Sequence, residues 1–222
     1  MKKLLLATAA SALMVGAASA EDVKLGIEIG FTGPIESLTS SMAAASELAM
    51  AEANASGKAL NGWNFVPVRA DSTCVDAAAA QSAAERLVTA EGVKGIIGGD
   101  CSGVTRAVLQ NVARPNGIVM VSPSATSPAL STDEDDGLFF RTSPSDAREG
   151  EVMADILTEK GVKSIALTYS NSDYGKGLAE AIASAYTAKG GVVTINAAHD
   201  DGKADYSAEV AALAAAGGEV LV

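Results

Sequence analysis

Histidine is all but missing from this chain: His199 is the single one in 222 residues. That excludes catalysis by paired imidazoles and leaves a zinc site without its usual ring ligands. Aromatic residues make up only 4%. Basic residues are few and unclustered, 16 against 27 acids, so the surface repels nucleic acid and anionic membrane. The phosphate-loop pattern, the dinucleotide glycine fingerprint and the G-x-S-x-G elbow are all absent. Past residue 20 no apolar run is long enough to cross a bilayer. Cysteine is scarce, with Cys74 and Cys101 the only two.

What is there begins with a leader. Lys2 and Lys3 precede an apolar run from Leu4 to Ala18, and Ala18-Ser19-Ala20 is an A-x-A cleavage signal before Glu21. Residues 1–20 are expected to be a secretory signal peptide, which makes the mature protein periplasmic. Losing its two lysines takes the net charge from −11 to −13. In an oxidising compartment an even pair of cysteines is most simply a disulfide, so Cys74–Cys101 is expected to be one.

The mature chain alternates short β-rich runs with Ala-rich stretches. Strands are expected at Asp22–Gly30, Trp63–Ala70, Val93–Gly99, Ile118–Val121 and Leu138–Thr142, with helices over Glu36–Ala55, Ala77–Ala90 and Val104–Ala113 between them. The pattern resumes with helix Ala147–Lys160, strand Lys163–Tyr169, helix Tyr174–Lys189, strand Gly191–Asn196 and helix Ser207–Ala216. Such alternation means βαβ units and an α/β fold of doubly wound parallel sheets. Pro67 marks its strand as an edge. The closing "GGEVLV" starts a strand with no onward crossover, so the chain is expected to be part of a longer protein whose C-terminal part is missing.

Ligands in open α/β sheets bind beyond the carboxyl ends of strands. The segments there are "FTGPIES", "DSTCVD", "GDCSGVT", "SPSATSPA" and "SNSDYGKG". No serine among them has a visible general base; His199 lies in the polar "NAAHDDGKAD" and reads as a surface residue. The acid runs Asp133–Asp136 and Asp200–Asp201 read as solvated loops. No catalytic set assembles, so an enzyme is not expected, nor a cofactor or a metal.

Binding is the better reading. Ser102 opens a helix, where it either caps or meets an anion. Ser124 and Thr126 either shape a turn before Pro128 or offer hydroxyls to a ligand. Two adjacent strand ends with hydroxyl and backbone donors, and no acid from Ser122 to Ser127, suit a carboxylate. Asp146 either belongs to the cap of the next helix with Ser145 and Glu149 or accepts from an ammonium group. Tyr174 either packs beneath its helix or covers a ligand. The sequence leaves the facing of Leu38, Phe31 and Trp63 open.

Five segments occur in one order: "FTGP", "GDCS", "MVSPSATSPAL", "FFRTSPSD" and "DYGKGLA". Together they resemble the periplasmic leucine/isoleucine/valine-binding protein family, solute receptors of branched-chain amino-acid ABC transporters. The resemblance implies a type I periplasmic-binding fold of two lobes joined by a hinge, the first near 21–143 and the second from 144. It implies a monomer that takes an amino acid between its lobes and docks on membrane permease subunits. By motif, Ser102 resembles the hydroxyl that meets the α-carboxylate, while the Ser124 backbone, Ala125 and Thr126 resemble groups sharing carboxylate and ammonium. Asp146 resembles a cleft residue of the second lobe, Tyr174 the aromatic that closes over the ligand, and Cys74–Cys101 the family's disulfide. Leu38 stands where the family often carries an aromatic, so the ligand's side chain stays open among branched-chain, other amino-acid, amide and aromatic-acid choices. The alternative is a sensory module that binds amides or other small carboxylates; an exported hydrolase using Ser102 or Ser124 is a third.

Overall fold

The computed structural model describes residues 21–59 and 62–222; the expected signal peptide lies outside them. The first sheet has five parallel strands in the order β2-β1-β3-β4-β5. These are β1 (Asp22–Ile29), β2 (Asn64–Asp71), β3 (Gly95–Gly98), β4 (Val119–Ser122) and β5 (Phe139–Arg141). Pro67 sits on β2, an edge strand, where a missing N–H costs no ladder bond. Along β1 the side chains alternate. Ile27 and Ile29 bury against Ala43 and Met50 of α1 (Glu36–Ala55).

The opposite face holds the larger core. Leu87, Ile96, Val104, Val108, Leu109 and Met120 are fully shielded there, each removal from water contributing about 1.5–3 kcal/mol. They come from β3 and β4, from α2 (Ala77–Arg86) with its continuation Leu87–Glu91, and from α3 (Ser102–Val108). Both helices widen into a five-residue turn, Leu87–Glu91 and Leu109–Ala113, before stopping; after the second comes the short α4 (Arg114–Asn116), ended by Gly117 in a left-handed conformation. Gly26 makes room for this layer, since a Cβ there would lie 2.8 Å from a Leu87 methyl.

The second sheet has three parallel strands in the order β7-β6-β8: β6 (Ser164–Ser170), β7 (Val192–His199) and β8 (Val220–Leu221). On it pack α5 (Asp146–Glu159), α6 (Asp173–Ala188) and α7 (Ser207–Ala216). Ala154, Leu157, Ile165, Leu167, Ile182 and Tyr186 form its separate core, and the Tyr186 hydroxyl donates to the Val162 carbonyl at 2.9 Å. Helices α5 and α6 touch backbone to backbone at Gly150, where a Cβ would stand 2.6 Å from the Ala181 carbonyl carbon.

The α/β class and two parallel sheets agree with the sequence reading. His199 departs from it. β7 runs three residues further than expected, so His199 ends a strand, half-buried, with Nδ1 2.8 Å from the Thr168 hydroxyl. The acidic run is also held more firmly than a solvated loop: Arg106 forks onto Asp133 at 2.5 and 3.0 Å, and Arg114 reaches Asp136 at 2.8 Å. Cys74 and Cys101 are bonded, tying the turn after β2 to the start of α3. By the chain-entropy model a loop of that size is worth roughly 3–4 kcal/mol.

Glu28 is the anomaly of the first core. It shares the Gly26 face of β1, is completely buried, and neither carboxyl oxygen has a partner. Burial, helped by the charge of nearby Asp100, pushes its pKa up to about 8. The folded protein therefore holds this proton more tightly than the unfolded chain does. Stability is lost progressively as pH rises from about 4.5 to about 8 and is level beyond. Glu28→Leu is expected to raise the denaturation midpoint. The gain should be small at pH 4.5 and reach about 1–4 kcal/mol at pH 8, read from urea unfolding across that range.

Candidate functional site

The loop after β4, from Ser122 to Pro128, closes few hydrogen bonds of its own, since Pro123 and Pro128 have no N–H. Its neighbours hold it. The Ser122 hydroxyl donates to the Gly99 carbonyl at 2.5 Å and accepts from the Ala125 N–H at 2.9 Å. The Ser124 hydroxyl donates to the Asp100 carbonyl at 2.9 Å. Asp100 is itself buried and takes the Gly30 N–H, the Ser72 hydroxyl and the Cys101 N–H at 2.7, 2.9 and 3.0 Å. The tips of β1, β2, β3 and β4 are thus one polar assembly.

Ser102 is not a cap. Cys101 occupies the capping position of α3 without a side-chain bond, and Ser102 is the first helical residue, 2% exposed. Its oxygen accepts the Ser127 N–H at 3.2 Å. With a lone pair so occupied, the hydroxyl proton is left to donate elsewhere. Thr126 lies between these anchors, half-buried, and its N–H meets no acceptor among the described residues.

Asp146 arrives from the second sheet's side. Ser145 takes the cap of α5, its hydroxyl accepting the Ala147 N–H at 3.3 Å. That frees Asp146, whose own N–H donates to the Thr126 carbonyl at 3.0 Å. The Asp146 side chain is 2% exposed, and its Oδ2 has no partner. Burial pushes its carboxyl up; the Thr126 side chain opposes this, Glu149 adds to it, and Arg141 opposes it. Ser143, three residues earlier, also has a buried hydroxyl without a partner.

Tyr174 stands in the first turn of α6, which Ser172 caps by accepting the Gly175 N–H at 3.0 Å. The ring is 45% exposed. Partial burial raises its phenol, with the Asp146 and Glu149 carboxylates acting in the same direction. Tyr174 therefore lies within electrostatic reach of Asp146.

The structure brings Ser102, Thr126, Asp146 and Tyr174 together. Ser124 turns its hydroxyl inward, leaving only its backbone to the opening. Ala125 is fully buried, its N–H bonded to Ser122 and its carbonyl to Arg141, so it belongs to the frame of the loop. Leu38, on the first turn of α1, is 56% exposed. Among the described residues no group of three acidic, histidine or cysteine side chains is placed to hold a metal. A groove of about 510 Å³ borders the site at Ser127 and Ala147, between α6 and the turn Pro128–Ser131; none of the six expected contact residues lines it.

Besides the Asp146–Thr126 backbone bond, two contacts hold the halves together here. Arg106 Nη1 of α3 lies 3.9 Å from Asp173 of α6. Gly177 faces the loop so closely that a Cβ would meet Ser127 Oγ at 2.9 Å and Pro128 Cδ at 3.0 Å. Sequence reading missed Gly177 and Ser127; both lay inside quoted motifs, but only the packing of one sheet's helix on the other's loop gives them a role.

Two parallel-sheet units flank this buried carboxylate, and the fold is the α/β class that the sequence predicts. The family comparison agrees: the periplasmic binding protein family model matches residues 22–222, and this chain belongs to that family. It is similar to the Leu/Ile/Val-binding protein homolog 3 of Brucella melitensis, 34% identical over all of this chain and 60% of that protein. It is similar to the Leu/Ile/Val-binding protein of Escherichia coli K12, 32% identical over 81% of this chain and 48% of that one. Among solved structures, the LivJ branched-chain amino acid transporter substrate binding protein of Streptococcus pneumoniae, in complex with isoleucine, superposes with a TM-score of 0.76. That match has 26% identity over 90% of this chain and 56% of that one. The chain thus spans about half to three-fifths of the length of the relatives it matches.

Gly177→Val is expected to wedge α6 away from Ser127 and Pro128. Small-angle scattering should report a larger radius of gyration, while helicity by circular dichroism stays unchanged because α6 itself gains a side chain it can accommodate.

Proposed function

We propose that the protein of which this chain is part is the solute-binding receptor of an ABC importer. It captures a branched-chain or related α-amino acid between lobes 21–143 and 144–222 and hands it to membrane permease subunits. The carrying observation is Asp146 Oδ2, a buried carboxylate oxygen without a partner. Burying such a charge is costly unless something cationic meets it. The loop that Asp146 is bonded to brings the Ser102 hydroxyl and the Thr126 N–H, donors that suit an anion. An α-amino acid carries both charges a few ångströms apart.

The ligand's carboxylate then takes the proton of Ser102 and the Thr126 N–H, its ammonium donates to Asp146, and Tyr174 covers it. Closing the lobes excludes water and strengthens each of these charge-assisted bonds. No bond is made or broken. The signal peptide reading and the family support delivery to the periplasm, where the closed form is what the permease meets.

The test is calorimetry of the full-length mature protein against the twenty amino acids and simple amides. Heat with leucine, isoleucine or valine is expected; silence with all of them overturns the reading. Asp146→Asn should weaken binding about tenfold to a hundredfold, from the roughly 1.5–3 kcal/mol of a charge-assisted bond. It should leave the melting temperature equal or higher, because a buried charge is gone. Since Asp146 titrates above the ordinary aspartate range, affinity should fall on acidification at a higher pH than an exposed aspartate would give.

A further inference from the structure

Arg141 lies on β5 just before the chain passes to the second sheet, and it braces the loop from behind. Its Nη1 donates to the carbonyls of Ala125 and Ser127 at 3.1 and 2.9 Å, and its Nη2 donates to the Ser131 hydroxyl. The Ala125 carbonyl and the Thr126 N–H belong to one planar trans peptide, so they point in opposite directions. Whatever pulls the carbonyl toward β5 turns the N–H away from it. The next carbonyl, of Thr126, is fixed by the Asp146 N–H at 3.0 Å. The one backbone donor of the loop without an acceptor among the described residues is thereby the one aimed outward.

We propose that Arg141 is a positioning residue of this site: its grip on the Ala125 and Ser127 carbonyls sets the peptide plane that presents the Thr126 N–H to a ligand carboxylate. The planar guanidinium is what matters: Nη1 serves both carbonyls while Nη2 is braced on Ser131, and a lysine carries the charge without that second anchor. Its charge has a second effect. Asp146 is faced by Glu149 from its own helix, Tyr174 from α6, Thr126 from the loop and Arg141 from β5. Of these only Arg141 is cationic, so it keeps Asp146 ionised to lower pH.

This deepens the amino-acid reading and rests on it, so the experiment has one arm that needs no ligand. In the full-length protein without amino acid, Arg141→Lys and Arg141→Gln should each speed hydrogen exchange at the Ala125 and Ser127 amides at least tenfold. Amides of β6 should be unchanged, which certifies the fold. Calorimetry with L-leucine should then show at least tenfold weaker binding in both variants. The acid limb of affinity should move to higher pH in Arg141→Gln and stay in place in Arg141→Lys. In the unaltered protein, L-leucine should shift the Thr126 amide resonance. Unchanged exchange overturns the clamp. Faster exchange with unaltered leucine affinity, or a Thr126 amide that leucine leaves unmoved while heat is released, overturns the positioning role. No heat from the unaltered protein with leucine or any other amino acid is instead a failure of the amino-acid reading, and the exchange arm still decides the clamp.

Discussion

A loop with a proline near each end closes few of its own hydrogen bonds, and the segment Ser122–Pro128 borrows most of them from everything around it. Gly99 and Asp100 offer carbonyls, Ser102 a hydroxyl oxygen, Asp146 an amide and Arg141 a guanidinium. Those groups come from the end of β3, the start of α3, the start of α5 and the end of β5. The loop is consequently the point at which both sheets agree on a geometry. Its polar atoms are satisfied except where the opening is, and an unsatisfied donor beside an unsatisfied buried acceptor is the physical signature of a place for a ligand.

The two lone buried acids illustrate how environment divides one functional group into two jobs. Glu28 sits under the first sheet with no donor near it and an acid beside it, so it keeps its proton and behaves as a polar filler. Asp146 has a cation and a hydroxyl nearby and sits at the mouth of the opening, so it can hold its charge and wait for a counter-ion. Asp100 is different again: three donors consume its oxygens, and it serves as a strut beneath the strand tips.

Much of the framework was legible in the chain. Val- and Ile-rich runs between Ala-rich stretches place most strands and helices to within a residue or two, because period and composition act locally. Pro67 on an edge strand was legible for the same reason. Ser102, Thr126, Asp146 and Tyr174 were legible as candidates, since strand ends and helix starts are where such residues find unpaired backbone. Local rules could not choose between cap and ligand contact for Ser102 and Asp146; that needed the Ser127 amide and the Ser145 hydroxyl in their places. His199 was misjudged because a polar stretch continued a strand on the strength of its pairing with β6. Arg141 and Gly177 escaped because each acts across elements distant in sequence.

Gly150 carries a consequence for timing. By letting α5 and α6 lie backbone to backbone, it locks the heads of those helices into a common body, and those heads carry Asp146 and Tyr174. A solute resting on the opposite wall would then encounter charge and ring in the same stroke. Such a jaw moves as one piece, and charge and ring keep their spacing wherever it swings.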